Sequence, residues 1–442
     1  MKSLVTKITA FAVSVVLCLS ATGCFSVNGD TSSSVNNIDK NANNDNAYNK
    51  IANINTDTEY NEAILDYGYY SLETEAQKML YKKFEGVANA VSDEKDDDGL
   101  YPMQIIEMKE VSLTEGNIRV VIEAFNCDHP EIFWISNIFG YYTDENVTMV
   151  HLYSEFSGKE INTMQSKLDN VINEFIKDIP KGLSEYEREK LAHDKLLTVC
   201  TYAENVNSSA DDPNAFTMYG ALVDKKAVCE GYTKSMQYLL KLLGIKTITV
   251  NGYSKNELHQ WCIVNIDDNW YHLDPTWDDR DDEGGEIIYT YFNVTDAYIT
   301  VDHTLAKKYS ILTEEQLCGT DKNKNDLFNM PLPQCKSETA SYYKVSGAEI
   351  TSLENYDCYS AVVQKMKEAA IKQDSYFYIK ISEDLDFNKT VDALFYQEPY
   401  SFFEYVTEVN KMLETDYKIT DDSLSILTLD KQRIVQIQLK YQ

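Results

Sequence analysis

The sequence is poor in cysteine and in basic residues, and each shortage excludes a class of protein. Nine cysteines in 442 residues are too few for a fold held together by disulfide bonds. Lysine and arginine number 40 against 71 aspartates and glutamates, which gives a formal net charge of −31. So negative a chain repels phosphate, and the composition therefore excludes a protein that binds nucleic acid along its backbone.

The rest of the composition is that of an ordinary globular protein. Hydrophobic residues make up 43% of the chain and charged residues 25%. These fractions exclude a wholly disordered or collagen-like chain. The length is sufficient for two or three packed domains.

The first 23 residues have the pattern of a bacterial lipoprotein signal peptide. Lys2 and Lys7 precede an apolar run over 8–19, which is too short to span a membrane but typical of a signal-peptide core. The string ATGC that ends at Cys24 resembles a lipobox, in which cleavage precedes the cysteine and the cysteine carries the lipid. The alternative is an ordinary signal peptide in which Cys24 has no role.

Lipidation of Cys24 predicts a protein anchored to the extracellular face of the bacterial cell membrane. Cleavage removes two lysines and no acid, which changes the formal charge from −31 to −33. Residues 24–60 contain few large apolar side chains and are expected to form a disordered tether. The bacterial diacylglyceryl modification supplies two or more acyl chains, which is enough for stable anchoring.

Apolar periodicity and turn residues divide the remaining chain into four segments with an α+β pattern. We expect an N-terminal α+β region over 61–160, a central domain over 161–316, a linker over 317–340 and a small C-terminal α/β module over 341–442. A buried aromatic segment is expected over 130–142. Helices are predicted over 73–84, 164–179, from 184 onward, 361–371 and 402–413, and strands over 118–125, 245–250, 375–381 and 433–440.

Two patterns that could indicate a metal site are weak. An acidic run over 93–98 precedes Gly99, but an EF-hand with this turn glycine would need a glutamate where Ile105 stands. We interpret the run as a solvated loop. The cysteines include no C-x-x-C pair, so zinc-site spacing is absent from the sequence and no metal or other cofactor is expected.

A cysteine at the start of a predicted helix is the first candidate for chemistry. Apolar residues follow Cys229 at helical spacing from Tyr232 to Leu243, and Gly244 is the predicted C-terminal cap. The unpaired N–H groups and the positive dipole end of a helix favour thiolate over thiol and could stabilise an oxyanion. Cys229 is therefore a candidate nucleophile, and its alternative role is that of a small buried hydrophobic residue.

Two predicted strands could bring a histidine and an aspartate to this cysteine. Residues 259–266 and 270–274 form a predicted hairpin. With an even-numbered loop His259 and Asp274 share a face of the hairpin, and with an odd-numbered loop they lie on opposite faces. On a shared face Asp274 can hold the His259 imidazole, which can take the proton of Cys229. Taken singly, such residues more often have structural roles.

The motifs around these residues resemble the transglutaminase-like (papain-like) superfamily in its bacterial extracellular form. The resemblance covers roughly 115–310 and implies an α+β core, in which the cysteine-bearing helix packs on an antiparallel sheet. It assigns Cys229 as nucleophile, His259 as general base and acid, and Asp274 as the residue that orients the histidine. The motifs are AVCEGY at 227–232, HQW at 259–261 and NWYHLDPTWDD at 269–279, with HPEIFW at 129–134 and YFNVTD at 291–296 on the flanks.

Three residues within or next to the motifs, Cys262, Trp261 and Trp277, have structural roles as alternatives to a role in the predicted site. Cys262 stands where relatives often have Asn, and strand alternation points it away from Trp261 and His259, which predicts a buried or pairing role. Trp261 and Trp277 are candidates for the walls of a cleft, with core packing as the alternative. We expect mostly free thiols at the remaining cysteines, which are Cys127, Cys200, Cys318, Cys335 and Cys358.

Two functions stay open at this point. The resemblance implies a surface-tethered cysteine enzyme that transfers acyl groups from amides, by crosslinking, deamidation or peptide hydrolysis. Its substrates would be proteins or cell-wall peptides, and the negative charge favours partners that carry amines, such as lysine side chains. The alternative is a catalytically silent cell-surface binding protein that keeps the fold, and the intact motif set favours the enzyme.

Overall fold

The computed structural model describes residues 66–177, 179–206, 211–255, 257–280, 286–308, 328–398, 400–420 and 425–442. The predicted signal peptide, Cys24, the tether and Cys318 lie outside these residues. The chain divides into two units, and both mix helices with sheets, which confirms the α+β class. The first unit contains the described residues up to Asn265 and those within Thr304–Pro333, and the second contains Ile266–His303 and Gln334–Gln442.

The N-terminal part of the first unit combines three helices with a four-stranded antiparallel sheet. Its elements are α1 Tyr67–Ser71, α2 Glu75–Val87, β1 Tyr101–Pro102, β2 Ile106–Lys109, α3 Glu115–Asp128, β3 Ile135–Thr143 and β4 Val147–Ser154. Strand β4 pairs with β1, β2 and β3. Helix α2 begins at a capping box formed by Thr74 and Gln77, and this helix confirms the prediction over 73–84.

The predicted strand over 118–125 is wrong, because these residues lie within α3. Thr114 caps the helix by accepting the N–H of Asn117. The run IRVVIEAF is rich in β-branched residues, which favour strands when propensity alone is considered. Here Val120, Val121 and Phe125 are all buried, so α3 is covered on several sides and its sequence shows no narrow helical stripe.

The C-terminal part of the first unit contains the helix with the candidate nucleophile. Its main elements are α4 Gly158–Lys177, α5 Glu185–Val199, a 3₁₀ turn Pro213–Phe216, a π-helical turn Gly220–Asp224, α6 Cys229–Leu242, β5 Thr247–Ser254 and β6 Glu257–Ile266. Helix α5 confirms the helix predicted from 184 onward and begins at a capping box of Ser184 and Glu187. Gly244 follows the C-cap Leu243 of α6 with a φ of +75°, as expected for a C-terminal cap. Strands β5 and β6 are antiparallel.

Short strands complete the first unit. Thr201–Tyr202 pairs in parallel with Lys226–Ala227, and Lys307–Lys308 pairs in parallel with Phe328–Asn329. The strand His303–Leu305 begins at the last residue of the segment Ile266–His303 of the second unit and continues into the first unit, where the N–H of Ala306 donates to Asn251 O on β5. In the part of the chain that the structure describes, no helix is both long and apolar enough to cross a membrane.

The second unit is built around a C-terminal four-stranded sheet. Its main elements are β7 Asn269–Leu273, α7 Asp296–Ile299, α8 Tyr342–Val345, β8 Ala348–Ile350, α9 Tyr356–Lys372, β9 Tyr376–Ile381, α10 Phe387–Phe395, α11 Ser401–Met412, β10 Ser425–Leu429 and β11 Ile434–Gln438, with a short antiparallel pair Asp279–Arg280 and Glu286–Ile287. The sheet order is β8-β9-β11-β10, with β8 parallel to β9. Helices α9 and α11 and strands β9 and β11 confirm the predictions there, whereas α10, β8 and β10 were not predicted.

A buried charge network fixes the C-terminal end of α6. Lys241 Nζ donates to Asp66 Oδ1 at 3.2 Å and to the backbone oxygen of Asp128 at 2.8 Å. The Asp128 carboxylate accepts the N–H groups of Gly68 and Tyr69 at 2.7 Å, which ties α1 to α3. Burial and the neighbouring Asp66 charge raise the pKa of Asp128 to about 6. The charge of Lys241 therefore stabilises a carboxylate that burial disfavours.

Lys241→Met is expected to lower the free energy of unfolding by about 3–5 kcal/mol at pH 7, because a buried charge loses its partner. The pKa of Asp128 is raised in the folded state from its ordinary value of 3.8 to about 6. Protonation of this carboxyl therefore stabilises the fold below pH 3.8, and this stabilisation is lost as the pH rises through about 6. In urea unfolding, Lys241→Met should accordingly lower the free energy of unfolding by less at pH 5 than at pH 7. Lys177→Met, at an exposed position, is the control and should change stability by less than about 0.5 kcal/mol. An equal loss of unfolding free energy in Lys241→Met at the two pH values would contradict this role of Asp128.

Candidate active site

Cys229 is the first residue of α6, as the sequence predicts. Val228 is the N-cap, with an extended backbone (φ −89°, ψ 178°), and its side chain makes no capping hydrogen bond. The first N–H groups of a helix have no partner within it, so those of α6 surround the cysteine with donors. The Cys229 side chain is partly exposed. A substrate carbonyl could therefore reach both the sulfur and these N–H groups.

Gly231 allows the first turn of α6 to pack closely. A Cβ atom at this position would lie 2.6 Å from Ala215 O and 3.0 Å from Thr217 O. The N–H of Val228 donates to the same Ala215 oxygen at 3.0 Å. The glycine of the AVCEGY motif is therefore required by the approach of the 3₁₀ turn, and this packing positions Cys229.

His259 lies on β6 and is only 8% exposed. Its ring stacks on that of Trp261, with centroids 5.8 Å apart and an angle of 20° between the ring planes. Gly252 is its cross-strand partner on β5, and a Cβ atom there would come within 2.8 Å of the Trp261 ring and would also collide with Thr304 O. Trp261 is fully buried, so its described contacts are those of core packing.

The contact between α6 and β6 lies next to the histidine. Thr233 Oγ1 donates to Gln260 O at 2.9 Å, and Cys262 Sγ lies 3.7 Å from Thr233 O. Thr233 follows Cys229 by four residues, so both lie on one face of the helix. The face that carries the cysteine therefore meets β6 one residue from His259. Cys262 is fully buried, which confirms its predicted burial.

Asp274 directly follows β7 in the second unit and is fully buried. Its Oδ1 accepts the N–H groups of Thr276 and Trp277 at 3.0 and 3.1 Å. Its Oδ2 lies 3.0 Å from Nε2 of His303. Trp277 is partly exposed, and its ring centroid is 4.8 Å from that of His303. Asp274 thus has a fixed orientation within its own unit.

The contact of His303 with Asp274 was not predicted from the sequence. Its Nδ1 lies 2.6 Å from Asp302 Oδ1, while Tyr291 donates its hydroxyl proton to Asp302 Oδ2 at 2.7 Å. Both ring nitrogens of His303 therefore face carboxylate oxygens, and both can donate only when the ring is an imidazolium. The sole sequence signal is the dipeptide Asp302-His303 shortly after the YFNVTD flank.

The predicted triad is divided between the two units, with Cys229 and His259 in the first and Asp274 in the second. The loop between β6 and β7 has two residues, Asp267 and Asp268, with φ values of 48° and 61°. Two positive φ angles are the signature of a type I′ turn. The loop is thus even-numbered, which is the condition for His259 and Asp274 to share a face. Their pairing stays a prediction.

The cysteines that the structure describes are free thiols, which agrees with the expectation from the sequence. Desolvation of its sulfur raises the pKa of Cys127 to about 12, and its Sγ lies 2.8 Å from Thr249 Oγ1. Cys229 differs from the others because it combines partial exposure with a helix N-terminus. The four buried thiols are Cys200, Cys262, Cys335 and Cys358.

Comparison with known proteins identifies the class of this segment. Residues 174–275 match the family model described as Transglutaminase-like superfamily, and the chain therefore carries a transglutaminase-like domain. This superfamily is one of cysteine-dependent enzymes. The match contains Cys229, His259 and Asp274.

Two curated proteins and a solved structure are more distantly similar to the chain. Kyphoscoliosis peptidase of Mus musculus is 23% identical over 226 residues (45% of this chain, 34% of the mouse protein), and that of Homo sapiens is 24% identical over 218 residues (44% and 32%). The chain thus spans about a third of the length of these curated relatives. A solved structure described as a crystal structure of a TGase shares 13% identity at a TM-score of 0.24, covering 39% of this chain and 50% of that one.

Thr233→Val tests whether the hydroxyl contact holds α6 on β6. The substitution keeps the shape of the side chain but leaves Gln260 O without this donor, so the free energy of unfolding should fall by about 1–3 kcal/mol. Thr198→Val is the matched control, since the Thr198 hydroxyl donates to a backbone oxygen on the exposed surface of α5. Urea unfolding measures both variants. An equal loss of unfolding free energy in the two variants would show that the Thr233 hydroxyl bond stabilises the fold no more than a surface hydroxyl bond does.

Proposed function

We propose that this chain is a surface-anchored, cysteine-dependent acyl-transfer enzyme in which Cys229, His259 and Asp274 form a catalytic triad. The observation that carries the proposal is the contact of Thr233 with Gln260 O, since it brings the helix face of Cys229 to the strand residue next to His259. The match of residues 174–275 to a superfamily of cysteine-dependent enzymes supports the same chemistry.

The proposed reaction has two acyl-transfer steps. Cys229 Sγ attacks the carbonyl carbon of an amide, and His259 takes the thiol proton. The oxyanion of the tetrahedral intermediate accepts hydrogen bonds from N–H groups in the first turn of α6. His259 then gives its proton to the departing amine, which leaves a thioester on Cys229. An amine or a water molecule attacks the thioester, with His259 again as base, and the thiol is restored.

Asp274 is assigned the role of orienting the His259 imidazole. The N–H groups of Thr276 and Trp277 and the ring of His303 hold this carboxylate from within the second unit. His303 is then a positioning residue, because its ring contacts the orienting carboxylate without touching the substrate.

The acyl donors we propose are side-chain or backbone amides of proteins or cell-wall peptides. A formal charge of −33 on the processed chain favours acceptors that carry amines, such as lysine side chains, over anionic acceptors. Transfer to an amine forms a crosslink, whereas transfer to water gives deamidation or peptide hydrolysis. The chain has no nucleic-acid partner in this proposal.

Lipid attachment at Cys24 would place the enzyme at the outer face of the bacterial cell membrane. The support is the apolar run over 8–19 followed by the lipobox-like string ending at Cys24. Growth with a labelled fatty acid is expected to label the chain, and Cys24→Ser is expected to remove the label. Label that persists in the variant would contradict this anchor.

Incubation of the protein with cell-surface extract and a tagged amine tests the function. Tag attached to proteins indicates crosslinking, and shortened peptides or deamidated glutamines indicate transfer to water. Each product must disappear with Cys229→Ala. An extract that the protein leaves chemically unchanged, or a change that Cys229→Ala retains, would contradict the enzyme.

Asp274→Asn should lower that turnover by up to about 10⁴-fold, because an amide cannot hold the histidine in its productive tautomer. Its oxygen can still accept the N–H groups of Thr276 and Trp277, so the fold should persist. The matched control is Asp278→Asn, since Asp278 is also buried and accepts the N–H of Tyr291 at 2.8 Å. Similar losses in both variants would count against a special role of Asp274.

A further inference from the structure

The second unit brings a histidine, an aspartate and a cysteine together outside the predicted triad. His272 lies on β7, Asp296 is the first residue of α7, and Cys335 comes from the segment before α8. One ring nitrogen, one carboxylate oxygen and the Cys335 sulfur all lie within 4.8 Å of one another. His272 and Cys335 are buried, and the Asp296 side chain is 41% exposed. The cluster is therefore closed on the protein side and open to solvent at the carboxylate.

Backbone hydrogen bonds hold the three residues in this arrangement. The N–H of Asp296 donates to Cys335 O at 2.8 Å, and the N–H of Cys335 donates to Asp296 Oδ2 at 3.0 Å. His272 and Val294 exchange N–H···O bonds of 2.8 and 2.9 Å. Within the cluster His272 Nε2 lies 3.0 Å from Asp296 Oδ1. The donor atoms are thus positioned by the fold rather than by mobile side chains alone.

We propose that His272, Asp296 and Cys335 bind a divalent zinc ion. A thiolate, an imidazole and a carboxylate are the three ligand types that zinc takes in proteins, and the thiolate disfavours magnesium and calcium. Bond lengths of about 2.0–2.3 Å separate the ligands of a tetrahedral zinc ion by roughly 3.2–3.8 Å. Side-chain adjustments of less than about 1 Å would bring the atoms of this cluster to that spacing.

Binding requires the thiol of Cys335 to lose its proton to solvent, while His272 ligates through Nε2 and carries its proton on Nδ1. Water would occupy the fourth position on the exposed side of Asp296. The ion would join β7, α7 and the segment that contains Cys335, so its occupancy should stabilise the second unit. This site could not be predicted from the sequence because its ligands are far apart in the chain: Asp296 follows His272 by 24 positions, and Cys335 follows Asp296 by 39.

Cobalt(II) titration of the chelator-treated full chain tests the proposal, with Cys229→Ser as parent so that the candidate nucleophile contributes no sulfur. We expect one cobalt per chain, with a sulfur-to-cobalt charge-transfer band that zinc displaces. Cys335→Ser should abolish the band, and Asp296→Asn should weaken binding by about 100-fold or more, since even residues behind the ligands change affinity 10–100-fold. The asparagine oxygen can still accept the N–H of Cys335, so this variant keeps the backbone contacts.

Cys358→Ser in the same parent is the matched control, because Cys358 is a buried thiol of the same unit that lies outside the cluster. It should leave the band and the affinity unchanged. Thermal unfolding without metal checks that Asp296→Asn remains folded, and zinc should raise the unfolding temperature of the parent but not of this variant. Absence of the band in the parent, or a band that survives Cys335→Ser, would overturn the proposal.

Discussion

The close seating of α6 against its neighbours is the constraint on which the proposed chemistry depends. Gly231 admits the oxygens of Ala215 and Thr217 to the first turn, and Thr233 donates to Gln260 O on β6. These contacts set the direction of the helix at the end where Cys229 lies. At the other end Lys241 joins α6 to the carboxylate network of α1 and α3. A nucleophile on a helix fixed at both ends keeps its position without substrate.

The second unit holds the carboxylate of Asp274 in place through its own residues. Asp274 is held by two backbone N–H groups and by His303, which in turn lies against Asp302. The buried His303 ring lies between the carboxylates of Asp274 and Asp302, and this contact restrains the Asp274 side chain. In the proposed enzyme this rigidity lets Asp274 orient His259 rather than adjust to it.

Local features of the chain could be predicted from sequence, whereas features that depend on distant contacts could not. The helix that begins at Cys229 and ends before Gly244 was readable because its caps and apolar spacing lie within one segment. The sequence of α3 predicts a strand over 118–125, since burial of the helix on several sides removes the periodicity that distinguishes a helix. The start of α5 at the capping box of Ser184 and Glu187 was predictable for the same local reason.

The site shows the same division. Cys229, His259 and Asp274 stand in motifs whose order and spacing carry the family resemblance. His303 could not be found in this way, because it meets Asp274 from 29 residues away and stands in no motif. The cluster of His272, Asp296 and Cys335 is similarly assembled by β7, α7 and a later segment. Side chains that are brought together only by tertiary contacts can therefore be identified only from the structure.

Activation of Cys229 by His259 can be tested through the rate at which the Cys229 thiol is alkylated. Iodoacetamide labelling followed by peptide mass spectrometry gives the rate for each cysteine separately. Cys229 should react faster than the other described cysteines, and His259→Ala should slow its reaction by about 100-fold or more, the usual contribution of a general base. A Cys229 that is labelled no faster than the others, or equally fast in His259→Ala, would show that His259 does not activate it.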